Sequence, residues 1–154
     1  MEPIQIILWA GMVAPWVVFI ILYDRARFKT LHSVGLLIAL LAIIADVVGS
    51  HLMLWTYPVE MIPLFYLFFP VDLALLPVEA MLLAQRSPKK LIRRFALFLL
   101  VGLINVGMEY LVEGYSCAIF YYKWRPIYSL PAYIILFFIA DFYHRWLTSK
   151  SYIY

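Results

Sequence analysis

Cysteine is nearly absent from this 154-residue chain, and charge is scarce. Cys117 stands alone, so no disulfide can close within the chain and the paired-cysteine spacing of metal and redox motifs is missing. Chemistry through sulfur, or through a bound cofactor, is not expected. Charged residues make up 14% of the chain against 66% hydrophobic ones, too few to cover the apolar surface of a water-soluble fold of this size. There is no glycine-rich phosphate loop, no G-x-S-x-G elbow and no H-E-x-x-H pair, which removes the usual marks of phosphate binding, serine hydrolysis and zinc proteolysis. No basic residue precedes the first apolar stretch and no small-residue cleavage site ends it, so a removable signal peptide is not expected. No linker or low-complexity segment divides residues 1–154, which predicts one membrane domain.

What the chain does have is five apolar runs: Ile4 to Tyr23, Leu31 to Trp55, Leu64 to Ala84, Phe95 to Glu113 and Leu130 to Trp146. A run of about 20 apolar residues crosses the hydrocarbon core as a helix, which satisfies its own backbone where water cannot. The expected fold is therefore all-α, a polytopic bundle of five transmembrane helices in the cell membrane. Basic residues fall at every second gap: Arg25, Arg27 and Lys29; then Arg86, Lys89, Lys90, Arg93 and Arg94; then Arg145 and Lys150. Only Lys123 and Arg125 lie in the other gaps. The positive-inside rule then puts the amino terminus outside and the carboxyl terminus in the cytoplasm. The same placement explains the net charge of +3 without a nucleic-acid partner.

The residues that do not suit lipid are the functional candidates. Asp46, Ser50 and His51 lie in the second run, Asp72 and Glu79 in the third, Asn105, Glu109 and Glu113 in the fourth, and Asp141 in the fifth. An ionised acid near the bilayer centre costs roughly 2.5–3.5 kcal/mol on insertion scales, so these acids are expected to face the bundle interior, pair or hold a proton. Positions seven apart on a helix differ by about 20°, which places Asp72 and Glu79 on one face. Pro70 and Pro77 repeat that spacing and remove two backbone donors, leaving carbonyls for an ion, a hydroxyl or water. Asn105, Glu109 and Glu113 form a stripe at four-residue steps. With alternating helix directions, Asp46, His51, Asp72, Glu109 and Glu113 fall in the outer half, where convergence of the stripes would make a water-accessible acidic pocket with His51 at its rim. Asp72 and Glu109 lead among them as proton-handling or catalytic groups. Asp141 and Arg145, one turn apart near the inner face, read as an ordinary peripheral ion pair, and His32 and His144 receive no role. The external stretch from Gly114 to Ser129 carries Tyr115, Phe120, Tyr121, Tyr122, Trp124 and Tyr128. It reads either as an interfacial aromatic belt or as a lid over the pocket, with Trp124 and Tyr128 as contact residues. His51, Asp72, Glu109 and Glu113 are chemically able to hold a metal, but no two share a diagnostic local motif and no metal is expected.

The stretch Phe69-Pro-Val-Asp-Leu-Ala-Leu-Leu-Pro-Val-Glu-Ala-Met-Leu-Leu-Ala-Gln85 and the later Tyr122-Lys-Trp-Arg-Pro-Ile-Tyr-Ser129 resemble a family of small multi-pass membrane proteins common in Bacillus- and Clostridium-like bacteria. The shared elements fall here on Pro70, Asp72, Pro77, Met81, Leu82, Gln85, Glu109, Trp124, Tyr128 and Ser129, over about the last two-thirds of the chain. The resemblance implies a fold and a host range but no activity. The Pro-x-acid element is also similar to the Pro-x-Glu-Glu of membrane-embedded carotenoid cyclases, which protonate an isoprenoid within the bilayer; here Leu73 and Ala80 stand where the second acid would be.

Three functions are consistent with these residues. The acids could bind or carry a proton, a cation or a small solute, which with five helices calls for a homo-oligomer or a larger membrane partner. Asp72 or Glu109 could act as general acid of a lipid- or isoprenoid-modifying enzyme. The chain could instead be a structural or sensory subunit whose acids only join helices. Membrane lipid is the common partner of all three.

Overall fold

The computed structural model describes residues 3–57, 70–116 and 119–150, and over these the chain is all-α apart from one short strand pair. Helix α1 covers Pro3–Leu22 and α2 covers Phe28–His51. A π-helical stretch, Pro70–Leu75, runs into α3, Leu76–Arg86. Helix α4 covers Leu91–Leu111 and ends in a second π-helical turn, Val112–Ser116, and α5 covers Ser129–Lys150. Strands β1 (Trp55–Thr56) and β2 (Phe120–Tyr121) pair antiparallel, Trp55 opposite Tyr121 and Thr56 opposite Phe120. Of the third apolar run, residues 64–69 lie outside the described part, and so does Cys117.

Among the described residues three helices are long and apolar enough to cross a membrane: Arg25–His51, Leu91–Gly114 and Pro126–Ser149. Leu8–Leu22 is apolar but shorter. The core is a layer of wholly buried side chains, with Leu31, Val34 and Ile38 from α2, Met81 from α3, Phe98 from α4 and Phe137 from α5. Gly35 permits this closeness, because a Cβ there would sit 2.8 Å from the Met81 sulfur. Around the circumference the order is reversed from a water-soluble protein. Ile21, Ile92 and Phe142 are each more than 70% exposed, a surface that water disfavours and acyl chains accept.

Helix α3 packs against α1, α2 and α5, and α5 in turn against α2 and α4. Pro77 lacks the N–H that the Leu73 carbonyl would receive in a regular helix, and the π-helical turns lie just ahead of it. That carbonyl is not left for an ion: the Trp16 indole of α1 donates to it at 3.1 Å. The expected open carbonyl is thus an anchor for α1, whose remaining surface is mostly exposed.

The two ends of the bundle differ in charge. At one end Gln85 and Arg86 of α3 hold the α1–α2 turn, with Gln85 Nε2 and Arg86 Nη2 donating to the Leu22 carbonyl and Asp24 N–H donating to Gln85 Oε1. Ten of the twelve Lys and Arg residues lie at this basic end. Asp141 departs here from the expected peripheral pair. It is 2% exposed and meets two guanidinium groups, Arg145 at 2.9 Å and Arg94 of α4 at 3.0 Å. Arg94 also donates to the carbonyls of Pro88 and Lys89. The pair is a junction between α5 and the α3–α4 hairpin because α4 begins directly over the last turns of α5.

Candidate functional site

The opposite end, marked by the strand pair, gathers the buried acids. Asp46 reaches from the buried face of α2 and Asp72 from the π-helical stretch, close enough for the two carboxyl groups to bond to one another. Two carboxyl groups can do so only with a proton between them, since an ionised carboxylate has no donor. Tyr57, just past β1, donates its hydroxyl to Asp46 Oδ1 at 2.8 Å. Asp72 is 3% exposed, and its Oδ2 has no partner among the described residues.

Two further acids are tied to other helices. Asn105 Nδ2 of α4 donates to Glu79 Oε2 of α3 at 2.7 Å. Glu109 of α4 collects three hydroxyl donors, Tyr121 of β2 at 2.7 Å, Ser129 of α5 at 2.9 Å, and Tyr133 of α5. Three donors around one carboxyl match the acceptor-only inventory of an ionised carboxylate. Trp124 Nε1 donates to Ser129 Oγ at 3.1 Å and extends this cluster to the surface. Asp46 lies within electrostatic reach of Glu109, and Glu79 of Tyr133. Three clusters, Tyr57–Asp46–Asp72, Asn105–Glu79 and Glu109 with its donors from β2 and α5, therefore lie within electrostatic reach of one another. Burial, with the Asp46 charge second, holds Tyr57 well above the ordinary tyrosine value, and burial with the Glu109 charge does the same to Tyr121. Both hydroxyls stay protonated donors near neutral pH.

Of the candidates, Asp46 lies beside Asp72 and Glu79 bonds Asn105, while Glu109 bonds residues of β2 and α5. Asp72 and Glu79, however, take partners on different helices, α2 and α4, because the wider turns over Pro70–Leu75 break the regular 3.6-residue phase on which a common face depended. His51 is exposed at the end of α2 and does not join the network. Glu113, on the π-helical turn, acts on Tyr121 electrostatically without bonding to it. Among the described residues no three His, Asp, Glu or Cys side chains converge as metal ligands. Trp124 packs edge-on against Trp55 and Tyr128, with centroids 5.4 and 5.7 Å apart. Tyr121 and Trp124 tie this aromatic cluster to Glu109 and Ser129.

Asp46 and Asp72 are buried, Glu79 and Glu109 are half-buried and hydrogen-bonded, and two broad surface grooves are apolar and include none of these acids. One is lined by Leu37, Ile135, Phe138, Ile139, Phe142 and Tyr143, the other by Leu91, Ile92, Phe95 and Phe138. Sequence reasoning missed the hydroxyl donor Tyr133. Ser129 and Tyr133 are one helical turn apart at the start of α5, a polar stripe that could have pointed to Glu109. Nothing local announced the pairing of Trp55 with Tyr121.

No family model, curated protein or solved structure matches the chain.

Proposed function

We propose that this is a multi-pass protein of the bacterial cell membrane that binds protons at a buried acid network in the outer half of the bilayer. Five crossings, with the amino terminus outside, agree with helices that alternate in direction and with the concentration of basic residues at one end. The described part of the third crossing, Pro70–Arg86, is roughly 25 Å long, near the thickness of the hydrocarbon core. Membership of the resembling bacterial family is part of this reading. Its shared residues include Asp72, Glu109, Trp124 and Ser129 of the network, Gln85 at the α1–α2 turn and Met81 against Gly35.

The observation that carries the proposal is the burial of Asp46 and Asp72 side by side, two carboxyl groups on different elements that can bond to one another only through a common proton. The packed layer of Leu31, Ile38, Met81, Phe98 and Phe137 separates the network from Asp141 and His144, which supports binding by this chain over conduction through it. Carrying a proton or other solute across calls for a second copy or a larger membrane partner.

The test is infrared difference spectroscopy on the purified protein across about pH 5 to 9. A protonated-carboxyl band is expected that Asp72→Asn removes and Glu109→Gln leaves in place. Finding every carboxyl of the network ionised throughout that range would overturn the reading.

A further inference from the structure

Three buried polar atoms have no hydrogen-bond partner among the described residues: Ser50 Oγ, Trp55 Nε1 and Asp72 Oδ2. Chain position relates all three to the Asp46–Asp72 end of α2. Ser50 follows Asp46 by four residues on α2, so it stands one turn along the same face. The Trp55 indole lies flat on Gly49, the residue before Ser50, so closely that a Cβ on Gly49 would fall 2.1 Å from Cζ2 and 2.6 Å from Cε2, the atom bonded to Nε1. Asp72 lies there beside Asp46. A buried polar group left unsatisfied is costly, so three at one end of a helix call for a common ligand.

The chemistry of the three atoms narrows what fits. An indole N–H can only donate and a serine hydroxyl can donate or accept, so a bare cation would face the positive end of the indole N–H dipole. An oxygen that accepts from Trp55 and Ser50 and donates to Asp72 meets all three needs, and a buried water makes about three such bonds. The other groups that face the pair are already engaged. Tyr57 is bonded to Asp46, Glu79 to Asn105, and Glu109 to Tyr121, Ser129 and Tyr133. Asp72 Oδ2 receives no hydroxyl, indole or amide donor among the described residues.

Resting on the proton-binding reading above, we infer that Ser50, Trp55 and Asp72 form the proton port of the acid pair, built to hold one water molecule. In the uptake step an O–H bond of that water breaks as a new O–H bond forms on Asp72 Oδ2, and the water regains a proton from the solvent side. The pair passes from one shared proton to two, and release is the reverse.

The experiment follows deuteration of the carboxyl band assigned by Asp72→Asn, after transfer of the full chain in lipid nanodiscs to heavy water. Trp55→Phe keeps a ring on Gly49 and removes the N–H; Ser50→Ala removes one hydroxyl. Each is expected to slow deuteration about tenfold or more, because the water loses a donor that holds it in place. Exchange that is unchanged or faster in either folded variant overturns the port. Should Trp55→Phe fail to fold, Ser50→Ala decides alone. A wild-type spectrum with no protonated carboxyl would instead overturn the proton-binding reading itself, and the two failures are separately visible.

Discussion

Neutralising Asp141 should cost this protein far more than the loss of an ordinary helical ion pair. The carboxylate is 2% exposed and lies 3.0 Å from Arg94, whose side chain is 14% exposed, and 2.9 Å from Arg145, whose side chain is 43% exposed. At 3.0 Å and an effective dielectric constant of about 20, the attraction to Arg94 is roughly 5.5 kcal/mol before desolvation. Desolvation offsets most of this in the intact protein, but Asp141→Asn leaves the Arg94 charge buried without its counter-ion, a change that typically costs 3–5 kcal/mol. Solvent screens the exposed Arg145, so its share is below about 1 kcal/mol. We therefore expect Asp141→Asn to destabilise by about 3 kcal/mol, Arg94→Met by a comparable amount, and Arg145→Met by less than 1 kcal/mol. The assay is reversible unfolding of the purified protein in mixed micelles, monitored by tryptophan fluorescence. A loss under about 1 kcal/mol for Asp141→Asn, or equal losses for the two arginine variants, would refute a buried junction and restore a peripheral pair.

Three further outcomes are expected. Gly49→Ala places a methyl group into the Trp55 ring and should destabilise by about 1–3 kcal/mol, with exposure of Trp55 to aqueous quenchers; full stability with an unchanged quenching profile would contradict the close packing. Glu109→Ala strips the acceptor from Tyr121, Ser129 and Tyr133 together and should cost more than Tyr121→Phe, which removes one hydrogen bond worth about 1 kcal/mol; equal losses in unfolding experiments would show that the carboxylate does not organise its donors. Cys117, the sole thiol, should be labelled in intact cells by a membrane-impermeant reagent, because the charge asymmetry puts its segment outside. Labelling confined to permeabilised cells, with a denatured control reacting fully, would reverse the orientation.

The apolar runs, their helical state and the charge difference between the two ends were legible in the amino-acid order, because each depends on a local quantity: hydropathy over about 20 residues, or the position of Lys and Arg beside such a run. The candidacy of Asp46, Asp72, Glu79, Asn105 and Glu109 was legible for the same reason, since a polar side chain inside an apolar run is conspicuous wherever it finally points. Their partners were not. Asp72 meets Asp46 and Glu79 meets Asn105 through the register of α3 against α2 and α4, which depends on the π-helical turns ahead of Pro77 and on the contact of Gly35 with Met81. The pairing of Trp55 with Tyr121 joins segments more than sixty residues apart, and only that contact ties an aromatic cluster to Glu109. Burial of Asp141 likewise required Arg94 to arrive from another helix, whereas its local neighbour Arg145 alone predicted an exposed pair. Composition and spacing therefore determined which residues lipid would not tolerate. Tertiary packing decided how each was satisfied, because hydrogen bonds act over about 3 Å and depend on register that no stretch of sequence carries by itself.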